Sequence, residues 1–268
     1  MIKIFPYISN YNPLQPGFDK MTLNFRTPTF ERFENNIQVL LFYEFIINDP
    51  SMEHVSVLPD ACIEFLFELN PNKPSIYIGG SVLENRIIQF KRGVKYFGVR
   101  MLPEHGMRLI DTPVIDEVIP FITFEKYDHL LEQLISNNSF DNCINVFSTF
   151  IKLKAPSISK IPDFIPYTIQ QSYINHGNIG INHLAEKAGY TVQYFRKKFE
   201  HYTGISPKLF NRIIRFQNSL NTLIYDNVSF VDVVDKFGYY DQSHLIREFR
   251  NFNYLTPSQI KKQHSNSL

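Results

Sequence analysis

Two short stretches put side chains that can read nucleic acid on helices whose other face is apolar. The first is Val192–Glu200, where Gln193, Arg196 and Lys197 fall away from Phe195 and Phe199. The second follows Asp241, where Gln242, Ser243 and Arg247 fall away from Leu245 and Phe249. Residues four apart share a helix face, so each pair of apolar residues marks a buried stripe. Gln pairs bidentately with adenine and Arg with guanine, and both do so from the N-terminal part of a helix in the major groove. Those six residues are the candidates for base contact. Lys198, Lys208, Arg212 and His244 are candidates for phosphate, a contact that positions without specifying. Arg215 is read as structural, paired with a carboxylate such as Asp235.

The elements that must position these side chains form a repeat. "LAEKAGYTVQYFRKKFEHYTGISP" (184–207) lies over "VVDKFGYYDQSHLIREFRNFNYLTP" (233–257). Gly189 meets Gly238 at an offset of 49, while Phe195 meets Leu245, Phe199 meets Phe249 and Pro207 meets Pro257 at 50. The second copy thus carries one extra residue in its turn. Each copy reads as a helix, a glycine that turns the chain, an N-capping residue (Thr191 or Asp241), a second helix and a proline. This is helix-turn-helix grammar, with units at about 181–202 and 230–252 joined by a long helix near 207–224.

Charge divides the chain in the same place. Residues from Lys160 onward carry a net of +5, and those before it a net of −4, in a chain of 268 residues and net +1. The basic half suits an anionic partner. Residues 1–122 read as β-rich, in short Val/Ile/Phe/Tyr runs between Pro, Asn and Gly turns. Two amphipathic helices follow within 125–153. Their stripes are Leu130, Leu131, Leu134 and Ile135, then Ile144, Phe147, Phe150 and Ile151. They serve either their own domain or a homodimer. The proline-bearing segment 154–166 reads as a linker. The expected fold is α+β and multidomain: a β-rich barrel or sandwich with two helices over 1–153, and an all-α domain over 167–268.

The C-terminal region resembles the AraC/XylS family of bacterial transcription regulators. The resemblance rests on "LAEKAGYTVQYFRKKFEHYTGISPKLFNRIIRF" and, more specifically, "VVDKFGYYDQSHLIREFRNFNYLTPSQIKK". It covers about 100 residues. Tyr254 stands where the family usually has Gly, Asn221 where it has Arg, and Val233 and Val234 where it has Ile-Ala. The N-terminal "VLPDACIEFLFEL" and "YFGVRMLPEHGMRLI" are similar to a β-rich domain found ahead of such units, with Ala61 replacing a Gly and Glu104 following Pro103. The resemblance implies a cupin-like sensor domain, double-stranded DNA and RNA polymerase as partners, and a small-molecule effector. It also places base contacts at the six positions above.

Other chemistries find little support. Cys62 and Cys143 are two cysteines in apolar contexts, read as buried thiols. His54, Asp60, Cys62 and Glu64 are close in sequence but lack a His-x-His metal pattern. Asp60 is read as a turn former and Glu64 as exposed. No catalytic residue, cofactor or metal is assigned. No apolar run approaches ~18 residues, so no membrane span is expected and the cytoplasm is the expected compartment. The alternative readings are a DNA-binding unit fused to a cupin-like enzyme, or a protein-interaction module.

Overall fold

The computed structural model describes residues 11–19, 22–26, 37, 39–50, 53–110, 118–120, 128–154, 161–226 and 228–265. The first half runs α1 (Pro16–Asp19), β1 (Thr22–Arg26), β2 (Leu41–Ile46), β3 (His54–Val57), β4 (Ile63–Glu68), β5 (Ser75–Gly79), β6 (Arg86–Gln89) and β7 (Lys95–Met101). A turn of helix, α2 (Pro103–Gly106), precedes β8 (Val118–Pro120), and then come α3 (Asp128–Ser136) and α4 (Phe140–Lys154). Six strands form one antiparallel sheet in the order β1-β2-β7-β4-β5-β8, and β3 pairs with β6 in a separate ribbon.

The period-two pattern of the strands sorts side chains onto two faces. Phe42, Ile63, Phe65, Phe67, Phe97 and Val99 face the helix pair, meeting Leu130, Leu134, Ile144, Phe147 and Ile151. Tyr43, Phe45, Leu66 and Tyr96 face the other way and pack with Val55, Phe90 and Phe18 on the ribbon side. The result is ribbon, sheet and helix pair in three layers. Among the described residues the six-stranded sheet does not close into a barrel: β1 and β8 lie at its edges, and the β3–β6 ribbon packs on one face. Leu130 and Leu134 of the α3 stripe and Ile144, Phe147 and Ile151 of the α4 stripe are buried against their own sheet. Leu131 and Phe150 of those stripes are only partly buried there. Residues 125–127 lie outside the described residues.

The second half is helical: α5 (Phe164–Ile174), α6 (Ile181–Lys187), α7 (Val192–Thr203), α8 (Pro207–Tyr225), α9 (Phe230–Phe237), α10 (Gln242–Asn253) and α11 (Pro257–Ser265). Helix α5 takes in Phe164, Ile165 and Pro166 from the stretch read as linker. Pro166 sits in the first turn, where its missing N–H has no helical partner to lose. Residues 155–160 lie outside the described residues.

The two halves share a core. Tyr11, Leu58, Ala61, Cys62 and Leu102 pack in one cluster with Phe195, Phe210, Phe216 and Phe249. Gln217, 2% exposed on α8, accepts the Leu14 N–H at 2.8 Å and donates to the Pro59 carbonyl at 2.7 Å. Gln15 donates to the Leu58 carbonyl at 2.7 Å and to Asp60 Oδ2 at 2.9 Å. Tyr11 donates to the Asp60 carbonyl at 2.9 Å and stacks on Tyr173 of α5 with ring centroids 4.7 Å apart. Buried polar groups of this kind cost stability unless paired, so their pairing fixes the docking of one half on the other.

Candidate nucleic-acid interface

Helices α7 and α10 are built alike. Thr191 caps α7 by accepting the Tyr194 N–H, and Asp241 caps α10 by accepting the His244 N–H at 2.7 Å. Gly189 and Gly238, in the preceding turns, hold φ of 74° and 68°. That left-handed conformation is open to Gly at little cost and lets each chain leave one helix and enter the next. Phe195, Phe199, Leu245 and Phe249 are buried in one core against Ile213, Phe216 and Leu220 of α8. Gln193, Arg196, Lys197, Gln242, Ser243 and Arg247 are all exposed. The structure thus turns the six candidate readers outward from one shared core.

The candidate phosphate contacts divide. Lys208 is exposed, and Lys208, Arg212 and His244 line one cleft of about 530 Å3 with Gly177, Asn211, Arg215 and Glu248. Lys198 lies elsewhere, its ammonium 5.7 Å from the centre of the Tyr194 ring. Arg212 is not free. Its Nε donates to both Glu248 oxygens at 3.0 Å, its Nη2 donates to Oε1 at 2.8 Å, and its guanidinium lies 5.1 Å from the Phe252 ring centre. Glu248 is 5% exposed, and a buried carboxylate without a cation would be costly. Arg215 does not pair with Asp235. It approaches Glu248 at 4.0 Å and lies 4.8 Å from the Tyr239 ring centre. His244 is committed in part to its own turn: its Nδ1 accepts the Tyr240 N–H at 3.2 Å, and its ring meets Tyr239 edge-on. Burial pushes the Tyr239 hydroxyl up to about 12.

Sequence reasoning missed Glu248. The signal was present, because Glu248 is three residues after Leu245, on the buried side of the helix, where a carboxylate demands a cation. It also misplaced Glu64. That side chain is paired with Arg100 Nε at 2.8 Å rather than exposed, and burial raises its carboxyl above the ordinary value. Asp60 forms a turn as expected, accepting the Cys62 N–H at 2.9 Å, and also lies 3.7 Å from Arg100. Ala61, between Asp60 and Cys62, holds φ of 57°, a left-handed conformation that Gly adopts at lower cost. Cys62 and Cys143 are buried free thiols. Among the described residues, no three His, Cys, Asp or Glu gather as metal ligands would, and no helix is long and apolar enough to cross a membrane.

Comparison with known proteins agrees with this geometry. Residues 184–263 match the family model described as a helix-turn-helix domain. The matched span contains both α7 and α10, so the C-terminal region carries a helix-turn-helix domain. An uncharacterized HTH-type transcriptional regulator of Haemophilus influenzae is 26% identical over 173 residues, covering 60% of this chain. The match spans only 56% of that relative's own length. Two solved structures are also similar. ToxT from Vibrio cholerae is 11% identical with a TM-score of 0.43, over 84% of this chain and 96% of that one. A DNA-binding transcriptional dual regulator from Escherichia coli K-12 is 18% identical with a TM-score of 0.36, over 40% of this chain and 97% of that one.

Proposed function

We propose that the chain is a sequence-specific transcription regulator that binds double-stranded DNA in the cytoplasm. The observation that carries this is the pair of capped helices, α7 and α10, turned outward from one core. Gln193, Arg196 and Lys197 read one major-groove segment, and Gln242, Ser243 and Arg247 read the next. Lys208 and His244 contact the phosphates between them, and Lys198 those at the side of α7. Two recognition helices on one rigid domain suit successive major-groove segments about 34 Å apart on one face of the duplex. One chain then covers an asymmetric site of roughly two turns. RNA polymerase is the partner such a bound regulator would recruit or block.

Control enters through the N-terminal half. Helix α2 packs against both α5 and α7, and Asn85 donates to Asn253 Oδ1 at 3.2 Å at the end of α10. The N-terminal half thus touches both recognition helices away from their readers. A small effector that shifts this half would alter the spacing between them. The test is DNA binding by fluorescence anisotropy at several salt concentrations. Specific binding whose affinity falls steeply with salt supports the reading. Sequence-blind binding that an extract of small metabolites cannot sharpen counts against it.

A further inference from the structure

The two turns that lead into the recognition helices differ by one residue, and that residue has a consequence for specificity. In the first copy a single residue, Tyr190, separates Gly189 from the capping Thr191. In the second, Tyr239 and Tyr240 separate Gly238 from the capping Asp241. Tyr190 divides its surface. It is 39% exposed, with its ring 5.1 Å from Phe164 and 4.9 Å from Tyr194. The longer second turn divides the work between two tyrosines instead. Tyr239 goes inward, 5% exposed, its hydroxyl 3.2 Å from Ser219 Oγ. Tyr240 goes outward and is 92% exposed.

An exposed tyrosine in a mobile loop would mean little. Tyr240 is in a fixed turn. Its N–H donates to His244 Nδ1 at 3.2 Å, and the next residue caps α10. Gly238 before it holds φ of 68°, and a Cβ there would strike the Asn178 side chain. The backbone at Tyr240 is therefore fixed just before the helical turn that carries Gln242 and Ser243, and its ring projects into solvent from there. A helix that enters the major groove by its N-terminus takes Tyr240 in with it. The apolar group displayed in that groove is the C5-methyl of thymine.

We infer that Tyr240 is a specificity-determining residue whose ring packs on a thymine methyl at the edge of the segment read by α10. This rests on the DNA reading above and adds a base preference to it. In the first copy the corresponding rings, Tyr190 and Tyr194, lie against each other 4.9 Å apart and are 39% and 45% exposed, so neither projects as Tyr240 does, and the preference is assigned to the second segment.

The test uses the full chain and a DNA site obtained by selection, with each thymine of the α10 segment replaced in turn by deoxyuridine. Removing the methyl at one position should weaken wild-type binding about fourfold, the fold-change of one buried methyl at ~0.8 kcal/mol. Tyr240→Ala should bind the thymine site as weakly as wild type binds the deoxyuridine site, and be indifferent to the replacement. Tyr240→Phe should behave as wild type. All three proteins should melt alike, since the ring supports no core. Two results overturn the inference: a wild type insensitive to deoxyuridine at every position, or a Tyr240→Phe variant as weak as Tyr240→Ala, which would assign the hydroxyl to a phosphate. If wild type binds its selected site no better than random DNA, the DNA reading itself fails, and this inference with it.

Discussion

The two helix-turn-helix units share a plan but differ in how each is held. The first is braced from outside. Its recognition helix α7 lies against α2 of the N-terminal half, and α5 packs beside it, with Phe164 5.6 Å from Phe195. Its turn into α6 has no side-chain cap, and α7 ends in Gly204 at φ of 79°. The second unit is braced from within. Ser229 and Asp232 form a reciprocal capping box at the start of α9. Asp241 caps α10 tightly, and Glu248 ties α10 to Arg212 of α8. At the repeat position of Glu248 the first unit has Lys198, which stays near the surface. The second unit also ends α10 on Tyr254 at φ of 57°, where the first uses glycine. The unit with the stronger internal ties is the one that tolerates a strained residue and an outward tyrosine. The unit with weaker ties is the one against which α2 of the N-terminal half packs, while the second unit meets that half through Asn85 at the end of α10.

The sharpest way to break this comparison is to separate core from reader within one helix. Phe249→Ala should destabilise the fold by roughly 3–5 kcal/mol, because the ring is fully buried against Phe216 at 5.0 Å. Arg247→Ala should leave the melting temperature unchanged and weaken specific binding by about 1–3 kcal/mol. Chemical denaturation and DNA titration of both variants check this. If both unfold alike, Arg247 is structural.

The external brace of the first unit makes a pH prediction. Glu104 on α2 is buried, its Oε2 lacks a hydrogen-bond partner, and burial raises its carboxyl from 4.5 to about 7. The folded state thus keeps a proton that the unfolded chain has given up. The resulting stabilisation is present below about pH 4.5 and is lost as pH rises through about 7. Glu104→Gln stays neutral, so its stability relative to wild type should rise across that window by on the order of 3 kcal/mol. Urea melts at pH 5 and pH 8 measure it. A difference that does not change with pH would remove Glu104 from the account.

The internal tie of the second unit should be worth somewhat less. Glu248→Ala should cost about 2 kcal/mol, less than a fully buried pair, because Arg212 keeps 31% of its side chain exposed. The same change releases Arg212 toward phosphate, so non-specific DNA affinity should rise while stability falls. The smallest effect is at Tyr254. Replacing it with Gly, as the first unit has at Gly204, should stabilise the chain by about 1 kcal/mol. Thermal melts decide that one.

Much of this arrangement was legible because it is local. The repeat placed Gly189, Gly238, Thr191 and Asp241 in their turns, and the four-residue spacing of Phe195 and Phe199 and of Leu245 and Phe249 marked the core face. What escaped was long-range. The Gln217 contacts join residues 158 and 203 apart in the chain, and no local pattern announces them. The Glu64–Arg100 pair depends on the register of β4 against β7, which places the two side by side. Arg215 had acidic neighbours to choose from, and only the crossing of α8 and α10 picks Glu248 over Asp235. The helix pair of 125–153 offered an apolar stripe that either a sheet or a second subunit could cover, and sequence periodicity cannot tell the two apart.

The central claim is that two outward helices read two segments of one duplex. The most direct measurement is selection of bound duplexes from random oligonucleotides by the full chain, followed by sequencing. The account predicts a motif of two blocks about one helical turn apart, and Arg247→Ala should blur only one of them. A single block, or enrichment without any motif, would contradict it.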